Sequence, residues 1–204
     1  MPSTSPRHSE DLAIRFVNTM AWRLRNPAEE RLGSPDALLA WLLHNAVISA
    51  AEGRRLKSAW KARPDAAGTA YAAALRLREA IYGLCLGLMR GQAPSESSRS
   101  GLAEFLWGGA PTLRLHWDDG GLTWRASWQA GDELADSRDL LRPIALSAAA
   151  LVTGTRAHRI KRCEDDRGCG WLFVDDSRLQ NRRWCAMGDC GNVAKARRHR
   201  NRLE

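Results

Sequence analysis

Cys163-Glu164-Asp165-Asp166-Arg167-Gly168-Cys169-Gly170 and Cys185-Ala186-Met187-Gly188-Asp189-Cys190-Gly191 are two short loops with the same ending, Cys-Gly, separated by fifteen residues. Each loop brings two sulfurs within reach of one ion, and a pair of such loops is what a tetrahedral zinc site requires of a sequence. Gly170 and Gly191 follow the second Cys of each pair. They are expected to take left-handed φ and turn backbone N–H groups toward the sulfurs. Two disulfides, or four unrelated buried thiols, are the competing readings. Zinc is favoured because paired Cys loops rarely recur by accident. Four thiolates leave no open coordination position. The expected ion is therefore a single structural Zn2+ held by Cys163, Cys169, Cys185 and Cys190.

The rest of the chain supports that reading. Its 204 residues suit one ordinary domain plus a small module, and 44% hydrophobic with 26% charged residues is a globular balance. Arg, Glu or Gly interrupts every apolar stretch short of a membrane span. The opening Met1 to His8 lacks the apolar core of a signal peptide, which makes a reducing cytoplasmic setting the expectation and favours thiolate–metal over disulfide. The formal charge is +8. From Ser177 onward eight cations stand against Asp189 and Glu204, leaving +6 beside the Cys loops. Zinc with four thiolates carries about −2 locally and offsets part of this. A basic surface next to the metal attracts polyanions, nucleic acid first among them.

Periodicity gives a mostly helical region ahead of the Cys loops. Ala13, Phe16, Val17, Met20 and Leu24 predict a helix over 10–25. Ser34-Pro35-Asp36 starts a second, with Ser as N-cap and Pro in the first turn. Ser49 to Glu52 is a capping box for a third that ends near Arg63-Pro64. A long Ala-rich helix runs from about Asp65 to Arg90, burying Leu75, Ile81, Tyr82, Cys85, Leu88 and Met89. Gly83 and Gly87 within it point to a closely packed neighbour. Gln92 to Gly101 reads as a polar loop before a short helix ending at Trp107. Leu113, Leu115 and Trp117, then Leu122 and Trp124, alternate around Asp118-Asp-Gly-Gly121 as a β-hairpin. A last helix spans about Ser137 to Thr153, with Pro143 early in it. The fold class expected is α+β: a mostly helical N-terminal domain with a β-hairpin, then a small four-cysteine zinc-finger module, treble-clef- or ribbon-like.

The order Cys163…Cys169, Phe173-Val-Asp175-Asp-Ser177, Arg182-Arg183-Trp184-Cys185-Ala-Met187…Cys190-Gly191-Asn192 resembles the CGNR zinc-finger family across roughly 157–202. Phe16-Val-Asn18-Thr19 and the Leu38-Leu39…Trp41 helix resemble the ABATE domain that usually precedes this finger. That architecture implies a transcription regulator with a zinc-dependent DNA-binding finger. It divides the chain into a disordered 1–9, an ABATE-like helical domain over 10–154, and the finger with a basic C-terminal helix over 155–204. Two positions depart from the pattern. Val193 stands where the signature has its final Arg, and Arg15 stands where an acidic residue commonly precedes Phe-Val-Asn-Thr.

Around the Cys loops, Trp171, Phe173 and Trp184 are expected to form a mini-core, and Asp175 with Ser177 to cap turns. After Cys190 a short helix carries Lys195, Arg198 and Arg202 along one side. With Arg197, Arg182 and Arg183 they make the candidate phosphate-contacting set, and a solvated face is the plain alternative. In the helical part Arg15, Asn18 and Trp22 share a face at i, i+3, i+7 and form a candidate face for a small-molecule effector. Asn18 alone reads more simply as a buried residue satisfying backbone groups. Trp117, Trp124 and Trp128 read as core ahead of dimer interface. Catalysis is not expected. His8, His44, His116, His158 and His199 show no ligand spacing, phosphate loops and nucleophile elbows are missing, and Cys85 lies on an apolar helix. The function expected is zinc-dependent DNA-binding regulation, with a homodimer compatible with palindromic readout. A zinc-stapled adaptor for RNA or protein is the alternative.

Overall fold

In the computed structural model, which describes residues 11–106, 113–118, 121–126 and 137–200, the first helix is α1 (Leu12–Val17). It is much shorter than the helix expected over 10–25. Asn18 cuts it off. Its Nδ2 donates to the Leu172 carbonyl at 2.8 Å and its Oδ1 accepts from the Leu172 N–H at 2.9 Å. The chain then turns into a two-residue strand, β1 (Met20–Ala21), paired antiparallel with β2 (Glu29–Glu30). Trp22 takes a left-handed φ of 52° between them. Leu24, placed by periodicity on the apolar stripe, is 51% exposed for that reason.

The capped helices stand as expected. The Ser34 hydroxyl accepts from the Ala37 N–H at the start of α2 (Pro35–His44). Ser49 and Glu52 complete a reciprocal capping box for α3 (Ala50–Ala62), worth on the order of 1 kcal/mol. Helix α4 (Pro64–Met89) forms the axis of the molecule, and α1, α2, α3, α5 (Glu96–Leu106) and α6 (Ser137–Thr153) pack on it. Its fully buried side is made by small residues such as Ala70 and Ala74, with Leu77, Ile81 and Cys85. Leu75, Tyr82, Leu88 and Met89 are only partly buried against that core.

Helix α5 begins at Glu96, inside the stretch expected to be a loop up to Gly101. Ser95 reverses that expectation by accepting the Ser98 N–H on its hydroxyl, so Ser-rich sequence here serves as a helix start. Helix α5 and the residues just ahead of it lie against Gly83 and Gly87 of α4. A Cβ on Gly83 would sit 2.2 Å from the Ser98 hydroxyl, and one on Gly87 would sit 2.9 Å from Pro94. Strands β3 (Leu113–Asp118) and β4 (Gly121–Ala126) pair antiparallel, with Leu115 opposite Trp124 and Trp117 opposite Leu122. Trp107 and Trp128, like residues 1–9, lie outside the described residues.

The C-terminal part consists of β5 (Ile160–Arg162), β6 (Leu172–Val174) and α7 (Asn192–Arg200), with a π-helical turn over Met187–Gly191 leading into α7. β5 and β6 pair antiparallel, Ile160 opposite Val174 and Arg162 opposite Leu172. Side chains alternate across a strand. Ile160, Leu172 and Val174 therefore join the helical core, while Lys161 and Phe173 face the other way. No helix among the described residues is long and apolar enough to cross a membrane.

Candidate metal centre

Cys163 follows β5 directly and Cys169 precedes β6, so the first Cys pair sits in the loop that joins the two strands. Cys185 and Cys190 come from the segment that runs into α7. A hairpin that carries the knuckle in its loop, followed by a helix, is treble-clef-like. The four Sγ atoms lie within 4.8 Å of one another. Cys169 and Cys185 are 3.8 Å apart, as are Cys185 and Cys190. Four sulfurs about 2.3 Å from one tetrahedral ion stand about 3.8 Å apart, so the cage has the size of a zinc tetrathiolate. A disulfide needs about 2.05 Å, which removes the competing disulfide reading.

Packed this closely, the four thiols act strongly on one another. Hydrogen bonds from Cys169, then Cys185 and Cys190, pull the Cys163 thiol far down. The Cys185 and Cys190 thiols are pushed far up, in both cases first by Cys163 and then by Cys169. Four sulfurs this close cannot all ionise on their own. A divalent cation at their centre reverses that balance and lets all four serve as thiolates. The donor set and spacing fit one structural zinc.

Glycine matters at two points of the first loop. Gly168 and Gly170 have φ of 90° and 67°, and a Cβ on either would lie 2.9 Å from the side chain of Arg25 or Leu24. Through that gap the 22–25 turn fastens on the knuckle: Arg23 N–H donates to the Cys169 carbonyl and Leu24 N–H to that of Gly168. Gly191 does not take the left-handed φ expected of it. It supplies space instead, since a Cβ there would meet Met187 Sδ at 2.8 Å.

Trp171 and Trp184 pack against the cysteines as anticipated. The third aromatic is Trp22, contributed by the helical part, and not Phe173. Phe173 is buried on the outer face of β6 with the Arg182 guanidinium 4.8 Å above its ring. Asp175 is fully buried and accepts from Lys161 Nζ, the Ser177 N–H and hydroxyl, and the Arg182 N–H. Burial alone would raise its carboxyl, but these donors, Lys161 foremost, hold it well below the usual carboxylate range. Asp175 and Ser177 therefore build the turn, as their position suggested.

Arg167 was not among the residues that the sequence singled out. It grips the buried Asp165 with Nε and Nη2 at 2.9 and 2.6 Å, places Nη2 3.7 Å from Cys190 Sγ, and lies 5.4 Å from the Trp22 ring centroid. The Asp165 hydrogen bond, then burial working against it, and then the charges of Asp165 and Cys190 act on this guanidinium, and its pKa is raised overall. It supplies a cation directly at the sulfur cage. Its only signal in the sequence is one Asp-x-Arg among several charges in the loop.

The basic set is less uniform than its sequence suggests. Arg182 is spent on the Phe173 ring and the Cys185 carbonyl, Arg183 pairs with Glu164 at 2.5 Å, and Arg197 pairs with Asp166 at 2.5 Å. Lys195 is exposed on α7 without a carboxylate partner among the described residues. The Arg198 side chain and Arg202 lie outside those residues. The expected face of Arg15, Asn18 and Trp22 does not form. Arg15 is exposed on α1, Asn18 bridges to Leu172, and Trp22 covers the cysteines, because the helix that would align them ends at Val17. Cys85 is a core residue whose thiol burial pushes up to about 12.

A family model described as "Putative stress-induced transcription regulator", the ABATE family, matches residues 10–155. The chain belongs to the ABATE family. The CGNR zinc finger model matches residues 159–203 and spans all four cysteines. The first description names a regulator and the second a zinc finger. Among curated proteins none matches the chain. Within the finger, Val193 replaces the signature Arg in the first turn of α7 and is partly buried, leaving the sulfur cage intact.

Proposed function

We propose that this ABATE–CGNR chain is a DNA-binding transcription regulator in which zinc is structural and the basic finger contacts the phosphate backbone. The observation that carries the reading is the cage itself: its last two ligands lead directly into α7, so the metal fixes a helix bearing Lys195, Arg197, Arg198 and Arg200. Arg183 completes the contact set by exchanging Glu164 for phosphate, and Arg197 does the same with Asp166. Domain 10–154 is the regulatory part and 155–204 the reading part. A homodimer on a palindromic site and a small effector held by the helices complete that division.

The test is binding of the zinc-loaded full chain to mixed-sequence duplex DNA over a range of salt. Lys195→Ala with Arg200→Ala should lower the slope of log K against log salt by about 2, since each lost phosphate contact removes about 0.9. An unchanged slope rejects the finger as the phosphate-contacting element. The adaptor reading is favoured by one observation, that Arg183 and Arg197 already have carboxylate partners. RNA outcompeting duplex DNA would support it.

A further inference from the structure

The positive charge of this protein is concentrated in two segments. Residues 50–63 carry Arg54, Arg55, Lys57, Lys61 and Arg63 against Glu52 alone, a net +4. The tail from Ser177 carries +6. With +8 for the whole chain, everything outside these two segments is left at −2. The first segment is α3 and the residue after it, in the helical part, far from the cysteines in sequence.

Helix α3 turns Gly53, Leu56 and Trp60 into the core. At 100° per residue, Arg54, Lys57 and Lys61 fall on one side of that buried stripe and Arg55 beyond them. All five cations are exposed. None of them pairs with a carboxylate among the described residues, whereas Arg23, Arg78, Arg156, Arg167, Arg183 and Arg197 all do. The capping box uses the only acid of the helix, since Glu52 is bonded to the Ser49 N–H. Helix α3 therefore presents a denser array of unneutralised cations than the described part of the finger does.

We infer that α3 is a second nucleic-acid-contacting surface, binding the phosphate backbone of duplex DNA through Arg54, Arg55, Lys57 and Lys61. The inference rests on the DNA-binding reading of the chain and assigns part of that binding to the helical region. A row of mixed Arg and Lys on an exposed helix suits sequence-independent phosphate contact, which counts charges, better than base readout. Phosphate contacts at α3 would supplement those of the finger's own cations.

The experiment uses the full zinc-loaded chain and mixed-sequence duplex DNA. Arg54→Ala, Arg55→Ala, Lys57→Ala and Lys61→Ala are combined in one variant, Ala being the best helix former. If about three of the four side chains meet phosphates, the slope of log K against log salt falls by about 3 and affinity near 0.15 M salt weakens at least about tenfold. The paired Arg54→Lys and Arg55→Lys variant keeps its charge and should keep the slope, which separates charge from loss of fold. An unchanged slope in the fourfold variant overturns the inference. So does a fourfold variant that loses binding to anionic lipid vesicles while DNA binding stays whole. Lys195→Ala with Arg200→Ala, measured in parallel, keeps the two ideas distinct. A finger effect without an α3 effect rejects only this inference, and an α3 effect without a finger effect rejects only the finger's role. Absence of DNA binding by the parent protein rejects both.

Discussion

Among the described residues, thirty buried side chains from α1 to β6 form one continuous apolar cluster around α4, while three buried cysteines and a few tryptophan rings form a second. The first cluster rests on burial, about 1.5–3 kcal/mol for each fully buried large apolar side chain. The second has too little apolar surface to hold its loops and depends on the ion. Yet the division is not clean. Ile160, Leu172 and Val174 belong to the finger by sequence and to the helical core by packing, and Trp22 does the reverse. Each region thus completes the other's interior, and the finger is docked, not appended.

Metal removal probes this most strongly. Structural zinc contributes about 10–16 kcal/mol in small zinc peptides, so Cys185→Ser should take metal content from about one ion per chain to none and dissolve the finger. The fluorescence of Trp22, Trp171 and Trp184 should shift red while most far-UV helical signal persists. Loss of all helicity would mean that the helical core cannot stand without the finger's three apolar residues.

On the helical side, Arg78 is 2% exposed and grips Glu30 through two hydrogen bonds of 2.7 and 2.6 Å, with Thr19 on the same guanidinium. Arg78→Met leaves the Glu30 carboxylate without its partner and should cost about 3 kcal/mol in denaturant unfolding. An equal or higher midpoint would show that packing outweighs the ion pair there.

Asp175 tests the finger's own polar support. Its folded carboxyl is held below the unfolded value, so its contribution is full above about pH 4 and disappears as pH falls further. Asp175→Asn should therefore be destabilised by about 2 kcal/mol at neutral pH, with the gap to the parent narrowing in acid. A gap constant with pH would assign the effect to shape and not charge. The smallest expected effect lies at the seam. Asn18→Ala leaves the Leu172 N–H and carbonyl without their side-chain partner, costing about 1–2 kcal/mol, and should increase hydrogen exchange in β6 before it does so in α4.

Much of the molecule is legible from its residues alone. The Ser34 and Ser49 caps, Pro64 at the start of α4 and the two close glycines act through neighbours a few residues away or through one tight contact. The metal ligands are legible for the same reason, since short loops fix two sulfurs at a time. The first helix misleads because its apolar spacing continues past Val17, while the bond that ends it spans 154 residues to Leu172. The Ser-rich start of α5 misleads because Ser caps helices as readily as it fills loops.

By itself the sequence determined the tetrathiolate set, the capped helices, the hairpin and the two concentrations of positive charge, all of which depend on spacing or composition along the chain. Tertiary structure alone decided that Trp22 and Arg167 close over the sulfurs, that Asn18 joins the two regions, and which cations are neutralised. The physical reason is range. Periodicity and loop length report on neighbours along the chain, whereas the partner of a buried amide or a guanidinium is chosen by whichever distant segment folds against it.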